Sequence, residues 1–499
     1  MEVKNSHVAP QRSIGVLSGA AVSISLMIGS GIFSTPSSVL SLVGAPAMVI
    51  IIYVLGGFFS LGGAFSFIEM GIMFPKNGGT LRYLAHSFKK PRLLLSYLFA
   101  WSMIICIRPG AIAANGPVIS KYLVYGMAGG PNLKTESPNI YKNADWIYRG
   151  IAVLAISLAT LVCMLSVKWS LRLINLLTVM KTGLLLVLSI TGILCLAGAI
   201  KYEKNDNLSS GFSLIKSNLG GYASALNKVF YAYDGWSNIC YSVGEMVDPA
   251  KKLPISATLG VGVVTFLYSF SILAYLAVVP ISAALEAKEV LAAEFTNRIF
   301  GNAFGRVVLP IIIGLSVFGS ITAQIFSVGR IVSSAAEVGY IPWGDRLSRY
   351  STRFKTPFNA LLFNWAVTMV YLLAPPPGDA FDLLVDFVQY PTWVFYGLTA
   401  VGCVYMRYKY PDFKTRKYKA FLPLTYVFIL VTIYLSVFPF IPYDKSSDTY
   451  PYYLSPVLGI VTLLLGFIPF YLRMYWYADK KGVDLTKWVE DEEQEELLI

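Results

Sequence analysis

Apolar residues run through this chain in long stretches, and polar residues gather in short segments between them. Crossing a bilayer as a helix takes about 20 mostly apolar residues. By that measure the pattern predicts twelve spans, near 13–43, 46–73, 93–125, 147–166, 171–200, 222–247, 254–280, 304–338, 358–374, 382–407, 420–441 and 453–476. Segment 1–12 precedes them, 13–200 holds spans 1–5, 222–407 holds spans 6–10, 420–476 holds the last two, and 477–499 is an acidic tail.

Loop charge tests this count independently. Lys76, Arg82, Lys89, Lys90 and Arg92 follow span 2, Lys168 and Arg172 follow span 4, and Lys251 and Lys252 follow span 6. Arg346, Arg349, Arg353 and Lys355 follow span 8, and a basic run from Arg407 to Lys419 follows span 10. The alternate loops are acidic or mixed, as at Lys134, Glu136, Lys142 and Asp145, or at Glu286, Lys288, Glu289 and Glu294. Basic loops stay in the cytoplasm, so both termini are expected there. The tail ends with Glu493 and Leu497–Leu498, spaced like an acidic dileucine signal. The plain reading is a solvated tail; the sharper one is sorting between the plasma membrane and endosomes or vacuole.

Composition agrees. Of 499 residues, 56% are hydrophobic and 14% charged, against about 25% charged in ordinary globular domains. The mean hydropathy is +0.61. No soluble fold of this length has an interior large enough for so much apolar surface, so lipid must cover the rest. The net charge of +12 would suit a nucleic-acid binder. Here, however, the basic residues sit in loops, with no zinc or stacking motif, so no nucleic-acid partner is expected. Cys106, Cys163, Cys195, Cys240 and Cys403 lie in or beside apolar runs without CxxC spacing, and His7 and His86 are far apart. Neither a metal site, a cofactor nor a disulfide framework is expected. No cleavable signal peptide is visible.

Two spans carry interruptions at membrane depth. Such breaks are tolerated where they line a cavity, so they point to function. In span 1 the run is Ile28–Gly29–Ser30–Gly31–Ile32–Phe33. Unwinding there frees backbone groups, and a half-helix beginning near Ile32 would turn its positive end toward a carboxylate. The alternative for this segment alone is close helix packing through small residues. In span 6 the run is Tyr231–Ala232–Tyr233–Asp234–Gly235–Trp236. The breaks, in spans 1 and 6, stand five helices apart, the pattern expected of an inverted-repeat transporter.

Ionisable residues inside spans are functional candidates. Asp234 stands at the second break, where it could meet a substrate ammonium, a proton, or only the second half-helix. Lys181 in span 5 is a candidate for a charge that switches during transport, or for a fixed partner of carbonyls in a broken helix. Arg108, before Pro109 in span 3, could face an anion or pair with an acid. Glu69 and Glu245 lie near cytoplasmic ends, where structural ion pairs are the expectation.

With these residues in place, the chain resembles the amino acid–polyamine–organocation superfamily, and within it the L-type amino acid transporter family, over roughly residues 13–476. The marks are Gly29–Ser30–Gly31–Ile32–Phe33 with Pro36, Glu69–Met70–Gly71 with Gly78–Gly79, and Ile107–Arg108–Pro109. Tyr233 with Gly235–Trp236, Glu245 before Pro249, and Gly319–Ser320 with Arg330 continue the series. Ala232–Tyr233, Gly235–Trp236–Ser237–Asn238 and Ala374–Pro375–Pro376–Pro377–Gly378–Asp379–Ala380 are more similar to fungal methionine permeases.

The resemblance implies an all-α membrane protein with a LeuT-like 5+5 inverted repeat and two C-terminal helices. It implies that an amino acid's carboxylate binds at Gly29–Gly31 and its ammonium at carbonyls near Ile28 and Tyr231–Tyr233, with Tyr231 as an aromatic gate. Lys181 matches a family lysine linking spans 1, 5 and 8, with Ser320 on the facing part of span 8, near where sodium-driven relatives bind an ion.

Three departures qualify this. The loop from about Gly126 to Trp146 has no cysteine, whereas animal light chains bond a heavy chain there, so no disulfide-linked heavy chain is expected. Asp234 replaces the small residue of many neutral-substrate members, as in carriers of cationic amino acids and cystine. Arg108 resembles the arginine of the cystine/glutamate exchanger, and Asp234 and Arg108 could neutralise each other.

The expected activity is therefore alternating-access uptake of methionine or a similar neutral amino acid with a proton. Exchange of cationic amino acids or cystine through Asp234 is the alternative, and a membrane nutrient sensor a remote one. A sensor would carry a long cytoplasmic extension. An enzyme is not expected, because no nucleophile–base pair or metal cluster assembles from these residues.

Overall fold

The computed structural model describes residues 14–128, 143–203, 205–301, 303–341, 344–347, 349–351, 353–354, 356–375, 380–411, 416–442, 451–490 and 492. Segment 1–12, most of the loop between spans 3 and 4, and the dileucine end of the tail lie outside the described residues.

In chain order the helices are α1 Val16–Met27, α2 Gly31–Val43, α3 Pro46–Met73 and α4 Thr80–Ser87. Next come α5 Leu94–Ala128, α6 Ala144–Leu165, α7 Val167–Leu196 and α8 Leu219–Tyr233. α9 Pro249–Val278, α10 Ile281–Ala287, α11 Leu291–Phe300 and α12 Phe304–Glu337 follow. α13 Phe358–Leu373, α14 Ala380–Lys409, α15 Leu422–Phe440 and α16 Leu454–Lys481 complete the series. Among the described residues there is no strand, only an isolated bridge between Ile14 and Met246.

Eight of these helices are long and apolar enough to cross a membrane, namely α3, α5, α6, α7, α9, α12, α15 and α16. The pair α1 and α2, bent by 49° at their junction, makes a ninth. The other three expected spans fall short of that measure for visible reasons. α8 ends after 15 residues at its interruption, α13 has 16, and α14, with Asp382, Asp386, Arg407 and Lys409 toward its ends, has an uncharged middle diluted by Gln389, Pro391 and Thr392.

Local chemistry sets several starts. Pro46 and Pro249 open α3 and α9, where a missing amide proton leaves nothing unbonded. Asn218 caps α8, accepting from the amides of Gly220 and Gly221 at 3.0 and 3.2 Å. Periodicity then sets the faces. Leu154, Leu158, Leu161 and Leu165 recur at helical spacing and all point outward from α6 as a strip for lipid. The buried core runs instead through the interrupted elements: α2 packs on α8, α1 on α9, α9 on α3 and α7, and α12 on α5 and α7.

Glu69, fully buried at the end of α3, draws three segments together. Arg407 of α14 donates Nε at 3.2 Å and also bonds through Nη2, Arg416 Nε lies 3.2 Å away, and the Ala420 amide donates at 2.8 Å. The ion pair expected at Glu69 is present. Glu245 instead accepts from the Asn77 amide at 3.4 Å. Glu69→Gln leaves two guanidiniums facing a neutral group, so the expected loss is about 3–5 kcal/mol of stability. It is read as a lower melting temperature of the purified protein in detergent.

Candidate functional site

α1 ends at Met27 and α2 begins at Gly31, one residue earlier than the sequence implied. Around the break, the Gly29 amide bonds the Met27 carbonyl at 2.7 Å, and the amides of Phe33 and Ser34 both reach back to Ser30 at 3.0 Å. The amides of Ser30, Gly31 and Ile32 fall between these two sets and have no backbone partner. They form the positive N-terminal end of α2.

The second break follows Tyr233. Asp234 leaves the helix at φ −58° and ψ 131°, and Gly235 takes φ +127°. A Cβ on Gly235 would lie 2.8 Å from Leu26 and Met27, so the two interruptions meet at this glycine. They meet again at Gly31, where a Cβ would come within 2.7 Å of the Ala232 methyl. A glycine at each point is what lets the broken backbones touch.

Between them lies a narrow cavity, its empty space and the opening to solvent together amounting to about 370 Å³. Of the residues singled out from sequence, Gly29, Ser30, Gly31, Arg108, Tyr231 and Asp234 line it, joined by Leu26, Met27, Ala111, Asn115, Asn238 and Gln324. Ile28, Ile32, Ala232, Tyr233 and Gly235 do not. Ile28 and Ile32 are buried in packing, and the Tyr233 hydroxyl turns to the Tyr53 carbonyl at 3.0 Å. The cavity's polar edges are specific. The Tyr231 hydroxyl lies 3.3 Å from Ser30 Oγ, and its ring meets Phe381 edge-on at 5.9 Å. Asp234, half-buried, accepts from the Tyr396 hydroxyl at 3.4 Å. Arg108 follows directly on a widened turn, Met103–Ile107, and donates to Asn238 Oδ1 at 3.0 Å. Asp234 and Arg108 share the cavity without pairing with each other.

Lys181 and Ser320 stand behind the first break rather than in the cavity. Lys181 Nζ bonds the Ser25 carbonyl and Ser320 Oγ, the latter at 3.2 Å. Ser320 Oγ in turn reaches the Ile28 carbonyl at 3.3 Å. The chain of contacts thus runs from α7 through α12 to the end of α1. Each carbonyl keeps a second lone pair for a further donor.

Sequence reasoning missed four contributors. Asn115, Asn238 and Gln324 are uncharged polar residues inside apolar spans, and the search for charges passed over them. Tyr268 of α9 was concealed among the aromatics of its span. Its hydroxyl lies 2.6 Å from the Met27 carbonyl and 2.9 Å from that of Ala232.

Interrupted helices enclosing a small polar cavity define a carrier of small molecules, and the comparisons with known proteins agree. The chain belongs to the amino acid permease family, whose model matches residues 14–464. It is 28% identical over 457 residues to the high-affinity methionine permease of Saccharomyces cerevisiae, covering 90% of this chain and 77% of that one. It is 29% identical to the mouse b(0,+)-type amino acid transporter 1, covering 96% and 91%, and 29% identical to the human cystine/glutamate transporter, covering 94% and 86%.

Proposed function

We propose that the protein takes up a neutral α-amino acid, methionine or one of similar length, by alternating access driven by protons. The observation that carries this is the cavity at the junction of both interruptions, with the unbonded amides of Ser30 and Gly31 at its edge. The substrate's carboxylate takes those amides, and its ammonium takes carbonyl lone pairs at the two helix ends. Tyr231 closes over the bound amino acid, and Lys181 with Ser320 holds the place of a coupling ion.

The architecture belonging to this reading is twelve spans in a LeuT-like 5+5 inverted repeat with two further C-terminal helices. α8 with the turns after it, α13 and α14 supply the three crossings beyond the nine. Both termini are cytoplasmic, by the loop charges, and the membrane is the plasma membrane. No disulfide-linked heavy chain takes part: the loop about Gly126–Trp146 lacks cysteine, and all five cysteines are buried free thiols.

Uptake of radiolabelled amino acids into proteoliposomes tests the proposal. An inward proton gradient is expected to accelerate entry without amino acid inside, and an absence of uptake at any gradient sinks it. One observation favours a second reading, exchange of cationic amino acids or cystine: Asp234 faces the cavity with no cation paired to it among the described residues. An exchanger requires internal amino acid. On that reading Asp234→Gly removes competition by arginine, lysine and cystine, and unchanged competition rejects it.

A further inference from the structure

The cavity wall holds polar atoms that bond nothing among the described residues. The Asn115 amide nitrogen donates to the Ala111 carbonyl at 2.7 Å, so the free end of this side chain is its oxygen, and Oδ1 has no partner. In Asn238 the orientation is reversed. Its oxygen accepts from Arg108, which can only donate, and its Nδ2 is left unbonded. Arg108 Nε and Gln324 Oε1 are also without a partner. All four residues line the cavity, and Asn115, Arg108 and Asn238 are only 1%, 3% and 5% exposed. Buried polar groups left unbonded are rare and destabilising, so such a set calls for a guest that completes it.

We infer that the carried amino acid has a neutral side chain bearing both a hydrogen-bond donor and an acceptor, a carboxamide of glutamine's kind, in preference to methionine's thioether. This rests on the transport reading above and narrows its substrate. Arg108 presents a guanidinium, so a cationic side chain meets repulsion on one wall. An anionic side chain meets it at Asp234 on another. A carboxamide fits between: its oxygen accepts from Arg108 and Asn238, and its NH₂ donates to Asn115. Methionine is of similar length but has no donor and only a weakly accepting sulfur. It fills the space and leaves Asn115 unbonded. A site built to bond a polar group discriminates strongly against an analogue that lacks it.

The test uses the full chain, purified and reconstituted, with glutamine, methionine, glutamate and arginine as probes. Each is measured for uptake and for thermal stabilisation of the protein in detergent. Glutamine is expected to exceed methionine by about tenfold or more in uptake efficiency, with glutamate and arginine behind both. Asn115→Leu is expected to shift the glutamine-to-methionine ratio by at least about tenfold toward methionine; Gln324→Leu, on another helix, is expected to shift it in the same sense. A wild-type protein that carries methionine as well as or better than glutamine overturns the inference and leaves the transport reading intact. So does a ratio unmoved in either variant that folds. A folded protein that neither carries nor is stabilised by any amino acid overturns the transport reading itself, and the inference with it.

Discussion

Gly235→Ala is expected to abolish uptake and to lower the melting temperature together, whereas Gly29→Leu abolishes uptake in a protein that folds normally. Both glycines belong to an interruption, but their surroundings differ. Gly235 sits at φ +127°, where an L side chain is strained, and its Cβ would press on Leu26 and Met27 at 2.8 Å. Backbone strain of about 1–3 kcal/mol adds to overpacking of about 1–3 kcal/mol. The neighbour is main chain and cannot rotate away, so the two broken helices must separate. At Gly29 the nearest atom to an added Cβ is Ser320 Oγ at 3.8 Å, an ordinary contact. Gly29 lines the cavity, so a longer side chain there crowds the cavity wall beside Ser320 and disturbs the first break without pressing on main chain. Uptake assays alone do not distinguish the two variants, but thermal unfolding in detergent does. A Gly235→Ala protein with wild-type stability would falsify the close approach assigned to these backbones.

The second large effect is expected at Lys181. Lys181→Met keeps much of the side chain's bulk and removes both bonds of its ammonium, to the Ser25 carbonyl and to Ser320 Oγ. A hydrogen bond from a charged group contributes about 1.5–3 kcal/mol, which as a difference between transport states equals about tenfold to a hundredfold in rate. Under the proposed proton coupling, the variant loses accumulation driven by a pH gradient by that factor. Binding of amino acid to the detergent-purified protein falls less, because Lys181 lies behind the first break and not in the cavity. Proton-driven accumulation at the wild-type rate in Lys181→Met assigns the coupling elsewhere.

Much of the backbone plan was legible in the sequence because lipid imposes a simple rule: a crossing segment must be apolar and must bond its own main chain. The two places that broke the rule, Gly29–Gly31 and Asp234–Gly235, stood out for that reason, and the structure places them in contact. The side-chain assignments were less readable. Glycine in an apolar run has two uses, and here one segment holds both: Gly29 opens onto the cavity, while Gly31 packs on Ala232. No pattern in one segment distinguishes them, since the difference lies in what another helix brings alongside. Asn115, Asn238 and Gln324 were missed because carboxamides carry no charge to draw attention. Their roles depend on which of their ends is already bonded, and only the assembled fold shows that. α14 was legible as a span despite four charges because its apolar residues continue between them. Asp382 is bonded there by Lys228 of α8 at 2.6 Å.

Tyr268 carries one hydroxyl hydrogen and stands within bonding distance of two carbonyls, those of Met27 and Ala232. One hydrogen cannot fully serve two acceptors. The Met27 carbonyl also accepts from the Gly29 amide at 2.7 Å, so it keeps a partner when the hydroxyl turns to Ala232. A small rotation of the hydroxyl is all that moves the hydrogen from the end of α1 to the end of α8. The two interruptions thus share one hydrogen, held by a side chain of a third helix, and a displacement of α9 is felt at both ends together.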